Sequence, residues 1–302
     1  MTTAYPKVTI GIPTYVGGPS LVKTVDSLLA SEAVPAFRLI VSVDGKKLDP
    51  EIKAALIRDP RVEVIENEVR RGQVGGIRQI LSLSSDQDIV ILTQDDLLFD
   101  ARCISEMVGT FERNHELTMV TAEACPLSPT TFFERIVHAG FFTVKRIERE
   151  WNGGDNFLNA SGRCIAFRRP MTKNVFEEIQ EEVINCDAHF YFINRKYGGV
   201  FIRQPKARYF FRSPKTLAEH LKQSKKYQNV ASELYKFRRI DVAREYAIPT
   251  GLKIKAAILG FLSKPLLFPL YVLTLLYTRL HTDQTFKKAT RFWDTDESTK
   301  EI

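Results

Sequence analysis

Residues 88–100, DIVILTQDDLLFD, decide the fold class of this 302-residue chain. The apolar run at 89–92 predicts a buried strand, and Asp95 and Asp96 stand at its carboxyl end. Adjacent carboxylates at a strand end repel each other, and a divalent cation that bridges to phosphate oxygens is the usual compensation. A helix cap needs only one aspartate, and Asp100 is better placed for that role. The pair therefore favours metal-assisted phosphate chemistry.

The same cycle of β-branched run, Gly or Pro turn and amphipathic helix repeats through the first hundred or so residues. Strands are predicted at 8–12, 37–43, 62–66 and 88–93, and helices at 20–31, 49–57, 73–83 and 101–114. This alternation predicts an α/β fold, with a mostly parallel sheet and helices on both faces. Ligands of such sheets bind beyond the carboxyl ends of the strands, so the strand exits hold the candidate site.

Polar and glycine residues at further strand exits and helix starts suit a nucleotide. Tyr15 could stack on a base, Asp44 could accept hydrogen bonds from a ribose or base, and Arg78 could point at the ligand from a glycine-rich helix start. Each alone could equally belong to an ordinary turn or surface, but several on consecutive strand ends favour a site. The candidates are Pro13, Thr14, Tyr15, Asp44, Gly72 and Arg78.

The second half of the sequence is less regular. Aromatic-rich stretches follow an apolar run at 117–124, and we then predict a strand at 163–168, a helix at 187–196, a strand pair within 200–211 and a polar helix at 214–237. This pattern is typical of α+β structure that elaborates the first sheet.

Composition limits the class of protein. The chain carries 43 Lys and Arg against 36 Asp and Glu, a net charge of +7, and is 44% hydrophobic, as expected of a folded globular protein. Its four cysteines show neither zinc-site nor disulfide spacing, which predicts reduced thiols. The first residues lack the pattern of a secretory signal. We therefore expect a cytoplasmic enzyme.

Two segments indicate possible partners. Residues 195–239 contain 13 Lys and Arg but only two acidic residues, Glu219 and Glu233, a local charge of +11 that suggests an anionic partner unless it is a solvated face. Residues 251–278 are strongly apolar, but Lys264, Pro265 and Pro269 break the run into pieces too short to span a bilayer singly. We expect a helix pair there that either lies on an anionic membrane surface or caps the domain.

These residues resemble the family 2 glycosyltransferases of the GT-A fold. The resemblance covers roughly residues 8–229 and includes the Pro-Thr-Tyr exit, Asp44, the helix start before Arg78 and the aspartate loop. It implies that Asp95 and Asp96 hold Mg²⁺ or Mn²⁺ on the diphosphate of a nucleotide sugar. Thr93 stands where the family's first aspartate is common, and His220 is a candidate third ligand.

The resemblance extends to the second half in relaxed form. It implies that Asp187 is the catalytic base, with Cys186 in place of the family's preceding Glu. The family's Gln-x-x-Arg-Trp signature corresponds to Gln223, Lys226 and Tyr227. Where relatives often place a metal-binding His, this chain has Arg212, which could itself neutralise diphosphate charge.

The resemblance implies an inverting glycosyltransferase that moves a sugar from a nucleoside-diphosphate sugar to a glycan or lipid-linked acceptor. The first candidate donor is a UDP-sugar. Polysaccharide or lipid-linked glycan synthesis at the inner face of a membrane is the expected setting. We expect a donor-binding half at 1–120, an acceptor-side half of the same domain at 121–240 and a C-terminal apolar helical tail at 241–302. The alternatives are a nucleotidyltransferase, a non-catalytic sugar-nucleotide-binding protein and a nucleic-acid-binding protein. No nucleic-acid motif is present, so a nucleic-acid partner is not expected.

Overall fold

A computed structural model describes residues 6–34, 36–228, 230–282, 292 and 298–302, and the side chains of 225–228, 245 and 282 lie outside that description. The strands are β1 (Val8–Thr14), β2 (Phe37–Val43), β3 (Val62–Glu66), β4 (Ile89–Thr93), β5 (Leu97–Phe99), β6 (Leu117–Pro126), β7 (Cys164–Arg168) and β8 (Val200–Phe211).

The first seven helices are α1 (Pro19–Leu29), α2 (Pro50–Ile57), α3 (Gln73–Leu83), α4 (Cys103–Arg113), α5 (Phe132–Glu150), α6 (Arg169–Glu178) and α7 (Cys186–Lys196). After β8 come α8 (Leu217–Gln228), α9 (Val230–Arg238), α10 (Val242–Glu245), α11 (Thr250–Ser263) and α12 (Leu267–Thr282). Short 3-10 helices cover Trp151–Gly154 and Ser298–Lys300.

All of these strands join one sheet in the order β3-β2-β1-β4-β7-β6-β8-β5. Strands β1 to β4 are parallel, β7 runs antiparallel between β4 and β6, and β8 is parallel to β6 but antiparallel to β5. Only residues 94–96 connect β4 to β5, which lies four strands away. That connection reaches at most ~14 Å, whereas four flat strand spacings measure about 19 Å, so the sheet must curl.

Apolar side chains cover both faces of the sheet. Ile89 and Ile91 of β4 pack in one core cluster with Leu21 of α1, and Val90 and Leu92 pack in the other with residues of α3, α6 and α7. Successive side chains of a strand point to opposite faces, so a strand buried on both sides reads as an unbroken apolar run. The predicted α/β architecture, mostly parallel with helices on both faces, is confirmed.

Strand β5 is held at both of its edges. One edge pairs with β8. On the other side, the backbone N–H groups of Leu97 and Phe99 donate to the hydroxyls of Thr24 (3.1 Å) and Ser27 (3.2 Å) of α1. These side chains satisfy backbone groups that an edge strand would leave unpaired. The short connection that carries the two aspartates is therefore fixed at each end.

The second half differs from the sequence prediction in two places. The aromatic-rich stretch after β6 contains a 19-residue helix, α5, which begins with a capping box between Thr131 and Glu134. The predicted strand pair is one continuous strand, β8, whose register against β6 shifts between Ala122 and Glu123. The predicted polar helix at 214–237 is covered by α8 and α9, which lie on either side of residue 229, outside the described residues. The strand predicted at 163–168 and the helix predicted at 187–196 are present as β7 and α7.

A buried ion-pair network joins α5 to β6 and β8. Arg203 of β8 contacts Glu123 of β6 (Nε–Oε2, 3.0 Å) and Glu148 of α5 (Nη1–Oε2, 3.4 Å). The ammonium of Lys145 lies 3.6 Å from Glu123 and 3.4 Å from Glu148. Burial raises the pKa of Glu148 and lowers that of Lys145, although their partners act in the opposite direction. Arg149 joins Glu123 from the solvent side, 3.1 Å away.

Helices α11 and α12 form the apolar C-terminal pair and pack against α5. Gly140 of α5 lies against the ring of Tyr271, leaving no room for a side chain there, and Phe268 and Ala256 are buried. The outer surfaces of both helices remain exposed and apolar. Among the residues that the structure describes, no helix is long and apolar enough to cross a bilayer.

Candidate active site

The first contact of the site joins the ends of β1 and β4. The chain builds β2 and β3 on one side of β1 and then returns to place β4 on the other side, so the strand order reverses between β1 and β4. In open α/β sheets, ligands bind at the carboxyl ends of the strands at this switch point. There the hydroxyl of Thr14 donates to Oδ2 of Asp95, and both residues are buried.

Asp95 and Asp96 offer a divalent ion two hard carboxylate ligands, as the chemistry of Mg²⁺ and Mn²⁺ requires. The position already attracts a cation, because the ammonium of Lys300 contacts Oδ1 of Asp95. Among the described residues, no group of three or more His, Cys, Asp and Glu side chains could hold a metal. The two aspartates therefore fit an ion that completes its coordination with ligand oxygens and water. Thr93 is not part of this set, because its hydroxyl donates to the Arg163 carbonyl (2.8 Å).

Lys300 is a site residue that sequence reasoning missed. Burial disfavours its charged form, but Asp95 and Asp96 outweigh burial and hold the pKa of Lys300 above its usual value. No local sequence pattern marks this lysine, which follows Asp95 by 205 residues and reaches it only through the tertiary fold.

Asp44 organises the loop before α3. Its carboxylate accepts the backbone N–H of Arg71 (2.6 Å) and of Gly72 (2.9 Å). Gly72 has φ +83°, a left-handed conformation that glycine adopts without steric cost, and it precedes the first residue of α3. Both oxygens of Asp44 thus fix the glycine turn that brings the start of α3 to this edge of the sheet.

Tyr15 stands at the same edge and carries a cation on its ring. The guanidinium of Arg70 lies 3.6 Å from the ring centroid, and Phe292 lies on Arg70 at 5.1 Å. Pro13, two residues earlier, packs under α3 close to Gly76. Planar groups therefore stack beside the Thr14–Asp95 contact, in the surroundings that a nucleotide base prefers.

Asp187 reaches this edge from the other half of the chain. It lies in the first turn of α7, and its carboxylate contacts the backbone at Gly162 so closely that a side chain there would overlap it. Gly162 lies two residues before β7, whose first residue, Cys164, pairs with Thr93 at the end of β4. The thiol of Cys186 donates to Oδ1 of Asp187 at 3.4 Å. The predicted base and the aspartate loop are thus on one edge of the sheet.

Two predicted arginines bind other parts of the protein. Arg78 donates to the carbonyls of Phe176 (2.6 Å) and Ile179 (2.7 Å) at the end of α6, so it ties helices together rather than lining the switch point. Arg212 donates to the Ser128 carbonyl (2.8 Å) and pairs with the fully buried Glu134 (3.4 Å). Its Nε also donates to the Glu301 carbonyl (3.3 Å).

The structure describes only part of the α8 residues that correspond to the family's Gln-x-x-Arg-Trp signature. Gln223 is partly exposed on α8, whereas the side chains of Lys226 and Tyr227 lie outside the described residues. His220 packs edge-on against Phe133 and belongs to no metal-binding group in the described part of the chain. Burial lowers the pKa of His220.

The basic segment 195–239 is largely neutralised by the protein itself. Among its described side chains, seven cations pair with carboxylates, all of them from outside the segment, and Arg203 is buried in the network described above. The pairs are Arg195–Asp155, Lys196–Glu178, Arg203–Glu123, Arg208–Asp100, Arg212–Glu134, Lys215–Glu301 and Arg238–Glu178. Most of the local charge excess therefore has a structural partner.

Comparison with known proteins fits this geometry. Residues 9–176, more than half of the chain, match the model of glycosyl transferase family 2. The chain belongs to this family. Among solved structures, this family 2 member is similar to the mannosyltransferase PcManGT from Pyrobaculum calidifontis in complex with GDP-Man and Mn²⁺, with a TM-score of 0.59 and 17% identity over 92% of this chain and 76% of that one. The match confirms the GT-A fold. No curated protein matches the chain.

Proposed function

We propose that this family 2 protein is an inverting glycosyltransferase that moves a sugar from a nucleoside-diphosphate sugar to an acceptor hydroxyl. The observation that carries the proposal is the Thr14–Asp95 contact at the switch point, with Asp187 on the same edge. A carboxylate pair for the donor and a separate carboxylate for the acceptor are the two parts that a single displacement needs.

The donor lies across the carboxyl ends of β1, β2 and β4 in this proposal. Its base stacks near Tyr15, and its diphosphate lies at Thr14 and Asp95. Asp95 and Asp96 would hold Mg²⁺ or Mn²⁺, which when bound stabilises the negative charge of the departing diphosphate. The solved relative carries GDP-Man in its complex, so a GDP-sugar stands beside the expected UDP-sugar as a candidate donor.

Asp187 removes the proton from the acceptor hydroxyl. This residue is partly exposed in the first turn of α7, so an acceptor can reach it. A base that acts on the side of the sugar opposite to the leaving diphosphate inverts the anomeric carbon in one step. This geometry is the reason for proposing inversion.

We further propose that the acceptor is lipid-linked and that the protein binds a membrane surface in glycan synthesis. Leu262 and Leu266, at the turn between α11 and α12, are 69% and 83% exposed, and Leu280 is 76% exposed. Contiguous exposed apolar side chains of this kind mark an interaction surface. Lys253, Lys264 and Arg279 are also exposed on these helices, and they suit anionic headgroups.

Nucleotide binding tests the donor. We expect calorimetry with UDP, GDP, dTDP and CDP, each with and without Mn²⁺, to show tight binding of one nucleotide that Asp95→Asn weakens. Asp187→Asn should bind the same nucleotide as wild type but lose transfer by about 100-fold or more, because it removes a general base. Failure of the wild type to bind any of the four refutes the proposal.

Vesicle co-sedimentation tests the membrane surface. The variant Leu262→Ser/Leu266→Ser removes apolar area worth about 2 kcal/mol together, or ~30-fold in partitioning to vesicles of phosphatidylcholine and phosphatidylglycerol. Ile57→Ser/Val69→Ser is the matched control, because these residues are similarly exposed on another part of the surface. Equal binding by both variants, or no binding by wild type, contradicts the membrane proposal.

A further inference from the structure

The last residues of the chain lie near the carboxyl ends of β1 and β4, where the donor is proposed to bind. Ser298 and Thr299 are buried in the short helix Ser298–Lys300, and the ammonium of Lys300 contacts Asp95. The side chains of Lys300 and Asp95 are only 19% and 11% exposed. We call residues 298–302 the C-terminal peptide.

Several independent contacts hold the C-terminal peptide in place. Glu301 pairs with Lys215 through its carboxylate and accepts from Arg212 Nε through its carbonyl (3.3 Å). The Ile302 carbonyl oxygen accepts from Lys23 of α1. Elements from both halves of the chain therefore fix the backbone that carries Lys300, and its position does not depend on the Asp95 contact alone.

The contact places a fixed positive charge at the switch point. Thr14 and Asp95 meet there, and the phosphates of a nucleotide bind at this point in open α/β sheets. A lysine ammonium has three donors, of which a carboxylate uses one or two, so it can bridge Asp95 and a phosphate oxygen at the same time. Because residue 93 is a threonine, it provides no further carboxylate that could bind the ammonium of Lys300.

We propose that Lys300 is a donor-binding residue whose ammonium, held on Asp95, bonds the diphosphate of the nucleotide sugar. The proposal rests on the proposed function for the identity of the donor. It adds a ligand for the diphosphate from the far end of the chain, and part of diphosphate binding then needs no metal. Arg212 and Lys215 contribute by holding the peptide through Glu301.

The experiment compares wild type, Lys300→Met, Lys300→Arg and the control Lys173→Met, whose lysine is exposed on α6. Calorimetry measures the nucleoside diphosphate that wild type binds, the matching nucleoside and inorganic pyrophosphate, each in EDTA and with Mn²⁺. In EDTA we expect Lys300→Met to weaken diphosphate and pyrophosphate binding about 10- to 100-fold, the range of a charge-assisted hydrogen bond, and to leave nucleoside binding unchanged.

Lys300→Arg should restore part of the binding, and Lys173→Met should behave as wild type. Unchanged diphosphate binding by Lys300→Met overturns the proposal. Tighter binding of Mn²⁺ and nucleotide by that variant also overturns it, because Lys300 would then block the site. If the thermal midpoint changes in Lys300→Met but not in Lys300→Arg, the test uses Lys300→Arg. The proposal then requires Lys300→Arg to bind the diphosphate more tightly than Lys300→Met does.

The two proposals fail differently. A wild-type protein that binds pyrophosphate through Lys300 but no nucleotide refutes the proposed function and leaves Lys300 as a diphosphate ligand. Metal-dependent nucleotide binding that is unchanged in Lys300→Met supports the proposed function and refutes the role of Lys300 as a diphosphate ligand.

Discussion

The buried network around Arg203 allows a prediction in which two arginines share one partner. Arg203 is 7% exposed and bonds both Glu123 and Glu148. Removal of one member of a buried ion pair costs about 3–5 kcal/mol, because the partner is left buried and charged. Lys145 still contacts both carboxylates in Arg203→Met, so we expect the free energy of unfolding to fall by about 3 kcal/mol, the lower end of that range.

Arg149→Met is the matched control. Arg149 bonds the same Glu123 at a similar distance, 3.1 Å, but its side chain is 59% exposed. Water solvates and screens such a pair, so its loss should cost less than about 1 kcal/mol. The two variants delete the same type of side chain from the same carboxylate and differ mainly in burial.

Urea unfolding followed by circular dichroism measures both variants. Loss of Arg203 should raise the pKa of Glu148 further. A carboxyl whose pKa is higher in the folded state than in the unfolded state destabilises the fold above both pKa values, and this effect fades as pH falls through the folded pKa toward the unfolded one. The difference between Arg203→Met and wild type should therefore shrink from about pH 8 to about pH 5. Equal losses in the two variants, or a loss that grows on acidification, would refute the reasoning.

Two further predictions concern packing and protonation. Gly140→Ala places a methyl group into the Tyr271 ring and should cost about 1–3 kcal/mol, whereas Gly251→Ala, with open space around it, should leave the thermal midpoint unchanged or higher. Burial and Arg238 lower the pKa of His189 to about 3, so its imidazole resonances should not titrate between about pH 5 and about pH 8. Stability should fall as the pH drops below the pKa of this histidine in the unfolded chain. Nε of Arg238 donates to Nδ1 of His189 (3.0 Å), and a titration midpoint near neutrality would contradict that hydrogen bond.

Local patterns were sufficient for most of the first half of the fold, although the three-residue strand β5 was not predicted. Strands β2 and β3 and helix α3 have the predicted bounds, because β-branched runs and glycine turns specify them within a few residues of sequence. The same patterns placed Thr14 and Asp95 at strand ends, and the switch point between β1 and β4 brings them together.

The second half depends on tertiary contacts that a local pattern does not contain. A strand pair was predicted within 200–211, but β8 is one strand that continues past Pro205, because the irregular register against β6 removes the need for a ladder hydrogen bond there. Helix α5 did carry a signal, the Thr131-to-Glu134 capping box, although its aromatic residues resembled strand. Lys300 and the partners of the basic segment come from distant parts of the sequence.

The short connection between β4 and β5 has a thermodynamic consequence. Fixing a residue's backbone costs about 1–2 kcal/mol of conformational entropy, and here folding has already ordered residues 94–96, because sheet pairing and α1 hold both ends. A ligand that binds the two aspartates has no segment left to order, so its affinity is not reduced by that cost. The unliganded protein instead keeps two like charges together, and occupation of the site should raise the temperature at which the whole chain unfolds.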